Sequence, residues 1–371
     1  MRYQELIELK KRMDFNLTEP EVLVRLVREA LTKGEKVQAD MKLLRQRSAK
    51  IAETLNEVGL LFDERALDKI ELFEKRTVGI DGSFQLVGGA GGKWYVPISV
   101  ARVIFENGFG DRPRVDIFWA GIEEIDETED SEPKSRASLR MLVAESKAIL
   151  NWGTLNKRSI IFIDGPIVDP PSKSSEEYVK DRCEGIKKCL EHSIVIGCVK
   201  RSRDMFYIRY LEDILSNAVP NVKSYLEGFL TDQHLMLYVF AHTRSKGKQG
   251  TLFTKWIDVS SANENYELYK RHGVHVVCLF FQKSRTSPVL RLDIPLLKPP
   301  EGYPNIDEIV LQAVKATDTW IYPGQDYPLP VVLAHEKCNI REGCAQVLYE
   351  EIITKSRAID EFEQLVLMQL R

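Results

Sequence analysis

Apolar positions in the first 75 residues recur at intervals of three and four, as at Leu23, Leu26, Leu31, Leu55 and Val58. Side chains at this spacing share one face of an α-helix. The segment is therefore predicted to be helical, with a charged surface. That surface includes a basic cluster formed by Lys42, Arg45, Arg47 and Lys50.

The pattern then changes to short runs of the kind found in β-strands. Residues 77–87, 94–100 and 114–120 are rich in β-branched and aromatic side chains, and the glycine-rich residues 88–92 separate the first two runs. Glycine is favoured in tight turns because it adopts positive φ without steric cost. These three runs are predicted to form an antiparallel meander.

Two later segments, residues 159–164 and 193–199, are apolar on both faces. Helical spacing precedes each of them, at residues 135–150 and 175–191. Strands that are buried on both faces and separated by a helix are typical of right-handed parallel crossovers in a covered sheet. We therefore expect two parallel strands beside the meander.

The remaining segments extend this sheet and flank it with helices. The expected elements are a mainly helical stretch at 201–262 with a flexible break at 243–250, strands at 274–281 and 289–294, a helix at 306–315 and a long helix at 342–370. The predicted fold class is α/β, with a mixed sheet of an antiparallel meander plus parallel strands, helical N- and C-terminal extensions and a helical insertion. The predicted organisation is an N-terminal helical region at 1–75, a domain at 76–345 with its insertion at about 201–270, and a C-terminal helix at 346–371.

Composition limits the class of protein. The 371 residues are 44% hydrophobic and 29% charged, which is typical of a globular chain, and 52 basic against 55 acidic residues give a net charge of −3. A histone-like basic protein is excluded, so a nucleic-acid surface must be a local patch. The apolar runs are far shorter than a membrane span, and the charged N-terminus is unlike a signal peptide, so a cytoplasmic location is expected.

Several features resemble functional motifs without matching them. The glycines before Lys93 lack the spacing of a phosphate-binding loop, which favours a hairpin turn. The six cysteines form no C-x-x-C pair, which favours buried, reduced thiols over a zinc site. Seven acidic residues between 123 and 132 predict a solvated loop.

Two aspartates stand out because they lie in or at the end of apolar strands. Asp81 and Asp164 are each followed by glycine, and Glu145 lies between them in a predicted helix. A buried carboxylate is costly without a cation or donors, and clustered carboxylates favour Mg²⁺ or Mn²⁺. Taken singly, Asp81 also fits an Asx-turn, Asp164 an ordinary strand exit and Glu145 a solvated helix residue.

The order of these acids resembles the NurA nuclease family, archaeal nucleases with an RNase H-like fold. The resemblance continues in Val199-Lys200-Arg201-Ser202, which is similar to the family's lysine after the fifth strand, and in the tyrosine- and histidine-containing residues 322–336. It covers about residues 76–345. It implies a metal-binding triad of Asp81, Glu145 and Asp164, completed by Tyr327 and by His335 as a further metal or phosphate contact. Glu123, Glu124 and Glu127 remain alternatives to Glu145.

The resemblance also implies a function. It implies a Mn²⁺- or Mg²⁺-dependent DNA nuclease with 5′-to-3′ exonuclease and single-strand endonuclease activity, acting in double-strand-break end resection and homologous recombination with a HerA-type hexameric translocase. Lys200, Arg201 and Arg203 would contact DNA. The resemblance also implies a homodimer. Amphipathic faces on the terminal helices and an apolar cluster near the end of the chain suit such an assembly; the cluster is Leu365, Val366, Leu367, Met368 and Leu370. The alternatives are a non-catalytic nucleic-acid-binding or assembly subunit with the same fold and, less favoured, a phosphotransferase.

Overall fold

A computed structural model describes residues 19–90, 93–110, 112–126, 132–169, 175–216, 219–322 and 324–355. Ten α-helices and eleven β-strands lie in these ranges. The helices are α1 Pro20–Glu57, α2 Pro133–Thr154, α3 Glu176–Leu190, α4 Phe206–Leu215, α5 Val222–Leu226, α6 Asp232–Ser245, α7 Glu264–Arg271, α8 Ile306–Trp320, α9 Leu329–Cys338 and α10 Glu342–Lys355. The strands are β1 Leu61–Asp63, β2 Thr77–Phe84, β3 Val87–Ala90, β4 Lys93–Phe105, β5 Arg114–Asp126, β6 Ile160–Asp164, β7 Ile194–Val199, β8 Leu252–Thr254, β9 Ile257–Asp258, β10 His275–Gln282 and β11 Leu290–Leu296.

One mixed sheet contains all the described strands, in the order β1-β8-β10-β11-β7-β6-β2-β4-β3, with β5 on β4 and β9 on β10. Strands β2, β4 and β5 pair antiparallel, whereas β6 is parallel to both β2 and β7. Strand β11 returns antiparallel to β7. The predicted combination of a meander with parallel strands is therefore confirmed.

The register of the parallel strands determines where the acids lie. Ile80 of β2 is opposite Ile163 of β6, so the next residues, Asp81 and Asp164, lie at the same level. Asp164 is in turn opposite Cys198 of β7. The two aspartates therefore lie at the same end of the parallel strands, which is where ligands bind in open α/β sheets.

Helices cover the central sheet on both faces. On one face, α2 and α3 pack against the sheet around Trp152, Ile163 and Ile186, each at most 1% exposed. On the other face, α8 and α9 bury Trp320 and Val331. Among the described residues, no helix is both long and apolar enough to cross a membrane.

The expected loop at 123–132 is wrong over its first four residues. Residues 123–126 are the end of β5, because Ile125 packs into the core opposite Trp94 and Glu124 forms an ion pair with Lys93 at 2.7 Å. Glu124 and Asp126 are exposed on either side of the buried Ile125, which suits a strand with one buried face. Residues 127–131 lie outside the described residues.

The predicted flexible break at 243–250 is also corrected in part. Helix α6 continues to Ser245, and the Arg244 side chain is 5% exposed. Its guanidinium donates to the backbone oxygens of Gln249 and Gly250, each at 2.7 Å. A buried arginine therefore fixes the turn that the polar sequence suggested was mobile.

Other predictions differ in detail. The N-terminal region contains β1, which pairs with β8 of the insertion, and residues 88–90 belong to β3 rather than to a turn. Five cysteines are buried and reduced as predicted, whereas Cys344 is exposed. Helix α10 begins at Glu342 as expected, but the predicted helix beyond Lys355, the apolar residues 365–370 and residues 1–18 lie outside the described residues. The domain boundaries stay a prediction.

Candidate active site

Asp81 lies on the central strand β2 and is 4% exposed. One carboxylate oxygen, Oδ1, accepts the backbone N–H of Gly82 at 2.8 Å, and Oδ2 lies 2.7 Å from Nδ1 of His335. Burial raises the pKa of Asp81, and the negative charge of Asp164 adds to this effect, whereas the hydrogen bond to His335 opposes it. The site therefore favours a positive partner for this carboxylate.

Asp164 is the last residue of β6 and has two side-chain partners. Its Oδ1 accepts the Tyr327 hydroxyl at 2.9 Å, and its Oδ2 accepts the Lys200 ammonium at 3.0 Å. The Tyr327 hydroxyl also lies against the backbone oxygen of Cys198, so its single proton is shared between the two acceptors. Burial raises the pKa of Tyr327 well above its usual value, which keeps the phenol protonated as a donor.

His335 reaches the acids because α9 lies directly on β2. Gly79 of β2 makes this possible, since a Cβ there would be 2.2 Å from the backbone carbon of Pro330. The hydrogen bond that His335 donates to Asp81 raises the pKa of His335. One ligand atom from each of Asp81, Asp164 and His335 lies within 4.8 Å of the others.

Glu145 extends from α2 toward the same place and is 2% exposed. Its Oε2 is buried and has no hydrogen-bond partner among the described residues. Burial raises the pKa of Glu145 well above its usual value, and the charge of Asp81 raises it further, while Arg182 lowers it. A buried acid with an unpartnered oxygen fits a carboxylate that awaits a cation.

These acids share a cavity of about 730 Å³ with a basic wall. Asp81, Glu145, Asp164 and His335 line one part of it. The basic wall consists of the exposed Arg201 and Arg203 and the buried Arg291. A cavity with acids on one side and arginines on the other suits a cation and an anionic substrate together.

The described acids of the segment at 123–132 lie outside the cavity lining. Glu123 and Glu124 lie on β5 and are absent from the cavity lining, and Glu124 is paired with Lys93. Glu127 lies outside the described residues. Among the described acids weighed as the third member, Glu145 is the one that lines the cavity.

Some residues around the site were missed by sequence reasoning. Arg182, 1% exposed, lies 3.3 Å from Asp169 and donates to the backbone oxygens of Ile167 and Pro166, which fixes the loop after β6. The thiol of Cys338 lies 3.7 Å from Oδ2 of Asp81. No sequence motif marks these residues; the apolar spacing of α3 around Arg182 was the only available signal, and it predicted a helix rather than a buried charge.

Arg291 was missed for the same reason. Its guanidinium contacts Asp293 at 2.8 Å, Asp204 and the Ser202 hydroxyl at 3.1 Å, so it holds the loop that carries Arg201 and Arg203. Asp293 is 126 positions from Ile167, whose N–H it accepts. Such partners become visible only once the fold brings them together.

The donor set suits a hard divalent cation. Carboxylate oxygens are the ligands that Mg²⁺ and Mn²⁺ prefer, and a neutral imidazole is compatible with Mn²⁺. The unpartnered Oε2 of Glu145 and the three converging ligand atoms supply both the charge and the open coordination that such an ion requires. The residues present therefore fit a divalent metal.

Comparisons with known proteins identify the family and the fold of the chain. The model of the NurA domain matches residues 41–340. The crystal structure of the NurA nuclease from Sulfolobus solfataricus has a TM-score of 0.58 and 14% identity, over 91% of this chain and 98% of that one. The predicted RNase H-like fold is thereby confirmed.

Weaker likenesses are found among other nucleases. Endonuclease V of Ciona intestinalis, solved in complex with inosine-containing DNA, has a TM-score of 0.34 and 11% identity, over 82% of this chain and 99% of that one. The catalytic domain of human Endonuclease V has a TM-score of 0.30 and 11% identity, over 84% and 97%. Among curated proteins, no sequence matches the chain significantly.

Proposed function

The chain belongs to the NurA family of nucleases, and from this premise we propose that it hydrolyses the phosphodiester bonds of DNA with the help of Mn²⁺ or Mg²⁺. The observation that carries the proposal is the convergence of Asp81, Asp164 and His335 within 4.8 Å, beside a cavity that Glu145 also lines. The Oε2 of Glu145 is buried and has no partner among the described residues. These four residues would hold the cation. The cation would supply charge for activating water and for stabilising the phosphate.

Residues in and around the cavity would orient the acids and attract the DNA. The Tyr327 hydroxyl donates to Asp164 and so fixes the orientation of that carboxylate. Arg201 and Arg203 lie exposed on the cavity wall, where guanidinium groups can bind phosphate oxygens of the DNA backbone. The Lys200 ammonium lies 3.0 Å from Asp164, and Lys200 directly precedes Arg201 in the chain.

The finer features of the function rest on the family resemblance. They are 5′-to-3′ exonuclease and single-strand endonuclease activity, a role in double-strand-break resection and homologous recombination, association with a HerA-type translocase, a homodimeric state and a cytoplasmic location. Digestion of oligonucleotides labelled at the 5′ or the 3′ end tests the polarity. Light scattering, with and without the translocase, tests the assembly.

The central experiment is digestion of plasmid and single-stranded DNA in Mn²⁺, in Mg²⁺ and in EDTA. We expect cleavage with metal and none in EDTA. Asp81→Asn and Asp164→Asn should lose activity while keeping the fold, because the amide preserves volume but not the charge that binds the cation. His335→Ala should lower turnover by a factor on the order of 10².

A matched control is Asp232→Asn. Asp232 is buried like Asp81, but it accepts the N–H groups of Tyr207 and Ile208 and does not line the cavity. Asp232→Asn should lower the melting temperature of the protein and leave its specific activity unchanged. Normal digestion by Asp81→Asn would contradict the proposed site. Metal-independent DNA binding without any digestion would favour the alternative, a non-catalytic subunit that retains the fold.

A further inference from the structure

Lys200 occupies an unusual place at the edge of the acidic cluster. It follows directly after β7, and its ammonium lies 3.0 Å from Oδ2 of Asp164 and 4.1 Å from the centre of the Tyr327 ring. A carboxylate and an aromatic face are both favourable partners for a cation. The ammonium therefore already neutralises one of the acids that the divalent ion would use.

Both oxygens of Asp164 are engaged in this arrangement. Tyr327 donates to Oδ1 and Lys200 to Oδ2. A divalent ion bound to Asp81, Asp164 and His335 would place a second positive centre within a few ångströms of the ammonium, and like charges at such a distance repel strongly. It is thus unfavourable for Asp164 to bind the Lys200 ammonium and the divalent ion at the same time.

The lysine is built to move away. Its side chain is 48% exposed, whereas that of Asp164 is 17% exposed. The backbone of Lys200 is held, because the Gln233 side chain donates to its carbonyl oxygen at 2.8 Å. A fixed backbone with a flexible four-carbon side chain allows the ammonium to turn outward while the strand end stays in place.

We propose that Lys200 is an exchangeable counter-ion of the metal site, which neutralises Asp164 when the divalent cation is absent and leaves it when the cation binds. This inference rests on the proposed metal-dependent function. Metal binding is then an exchange of one cation for another, so the lysine lowers the apparent metal affinity. Because Lys200 directly precedes Arg201 in the chain, the displaced ammonium would be free to contact the DNA backbone near that arginine once the metal is bound.

The test compares Lys200→Met with wild type and with a matched control, Lys283→Met. Lys283 also forms a lysine–aspartate pair, with Asp318 at 2.7 Å. Its partner Asp318 is not one of the proposed metal ligands and does not line the cavity, whereas Asp164 does. Free Mn²⁺ is measured by electron paramagnetic resonance during titration of each full-length protein, and melting temperatures are recorded in EDTA. Neither readout depends on cleavage.

We expect Lys200→Met to bind Mn²⁺ about tenfold more tightly than wild type. A change of this size is usual where two binding events affect each other's free energy. In EDTA it should melt below wild type, because the acids lose their counter-ion. Lys283→Met should keep wild-type Mn²⁺ affinity. Equal or weaker Mn²⁺ binding by Lys200→Met overturns the counter-ion role alone, whereas no Mn²⁺ binding by wild type overturns the metal-dependent function as well.

Discussion

The absence of a side chain at Gly82 creates room for Glu145. A Cβ at this position would lie 2.8 Å from Oε1 of Glu145 and 2.9 Å from Cγ of Met141. Real Cβ atoms do not approach other atoms so closely, so one of these side chains would have to shift. The glycine of the Asp81-Gly82-Ser83 segment is therefore required for steric reasons rather than for a turn, since Gly82 lies within β2.

We expect Gly82→Ala to impair cleavage much more than folding. Displacing Glu145 by about an ångström is enough to cost on the order of 10² in rate at a catalytic centre. The measurement is turnover at saturating Mn²⁺ together with the melting temperature. Gly34→Ala serves as the control, because nothing lies within 4 Å of its added Cβ and alanine favours the helix. Undiminished turnover in Gly82→Ala would remove Glu145 from the site.

The protonation of Glu145 gives a pH-dependent test of stability without metal. Its pKa is raised well above the usual 4.5 by burial. The folded state therefore holds the proton more tightly than the unfolded state, so this residue's contribution to stability is lost as pH rises from about 4.5 through the folded pKa. Glutamine has no proton to lose, so the variant escapes this loss.

In EDTA, Glu145→Gln should accordingly melt above wild type at pH 8, and the difference should shrink toward pH 5. With saturating Mn²⁺ the order should reverse, because only wild type gains the full stabilisation from the bound ion. Thermal unfolding across pH measures both effects. Glu184→Gln, an exposed position on α3, should show neither. If the difference in melting temperature between Glu145→Gln and wild type does not vary with pH, burial does not raise the pKa of Glu145.

At the scale of elements, the site depends on how α9 packs on β2. Pro330 lies in the first turn of α9, where the missing N–H of proline costs nothing, and its backbone sits against Gly79. His335 lies further along the same helix and reaches Asp81. The helix thus carries the histidine to an acid 254 positions away in the chain.

Gly79→Ala should therefore destabilise the protein and misplace His335. The added Cβ meets backbone at 2.2 Å, which cannot be relieved by rotating a side chain. Overpacking of this kind costs about 1–3 kcal/mol or more. Denaturant unfolding measures the loss, and Gly343→Ala in α10, with nothing within 4 Å, is the control. An unchanged midpoint for Gly79→Ala would contradict the close packing of α9 on β2.

The elements that the sequence predicted best are those with the clearest burial. Strands β6 and β7 were placed within a residue or two, because strands buried on both faces are apolar throughout. The short strands β8 and β9 were missed, since two or three residues carry no periodicity. The end of β5 is predicted as a loop because three of its last four residues are acidic and Ile125 alone carries no periodicity.

The part of the candidate site that lies on neighbouring strands could be predicted from the sequence. Asp81 and Asp164 could be expected to meet because neighbouring parallel strands end at the same edge. The supporting charges Arg182 and Arg291 could not, because each finds its acidic partners only through tertiary packing. Their role in fixing the loops around the cavity follows from the structure alone.

For the whole molecule, the charge distribution matters more than the net charge of −3. Several basic residues outside the cavity have acidic partners within the chain. Arg47 contacts Glu227 at 3.4 Å and Lys248 contacts Asp63 at 3.1 Å. Arg201 and Arg203 lie exposed on the wall of the cavity instead. They are the residues from which a focused phosphate-binding patch is expected.

DNA binding should therefore be strongly salt-dependent and should depend on these two arginines. Each phosphate contact contributes roughly 0.7–0.9 to the slope of log affinity against log salt, so Arg201→Gln and Arg203→Gln should each lower the slope by about that amount. Fluorescence anisotropy with labelled single-stranded DNA in EDTA measures binding without cleavage. Arg271→Gln, an exposed position at the end of α7 and outside the cavity lining, should leave the slope unchanged. Equal slopes for all three variants would place the DNA-binding surface elsewhere, since the removal of a true phosphate contact cannot leave counter-ion release unaltered.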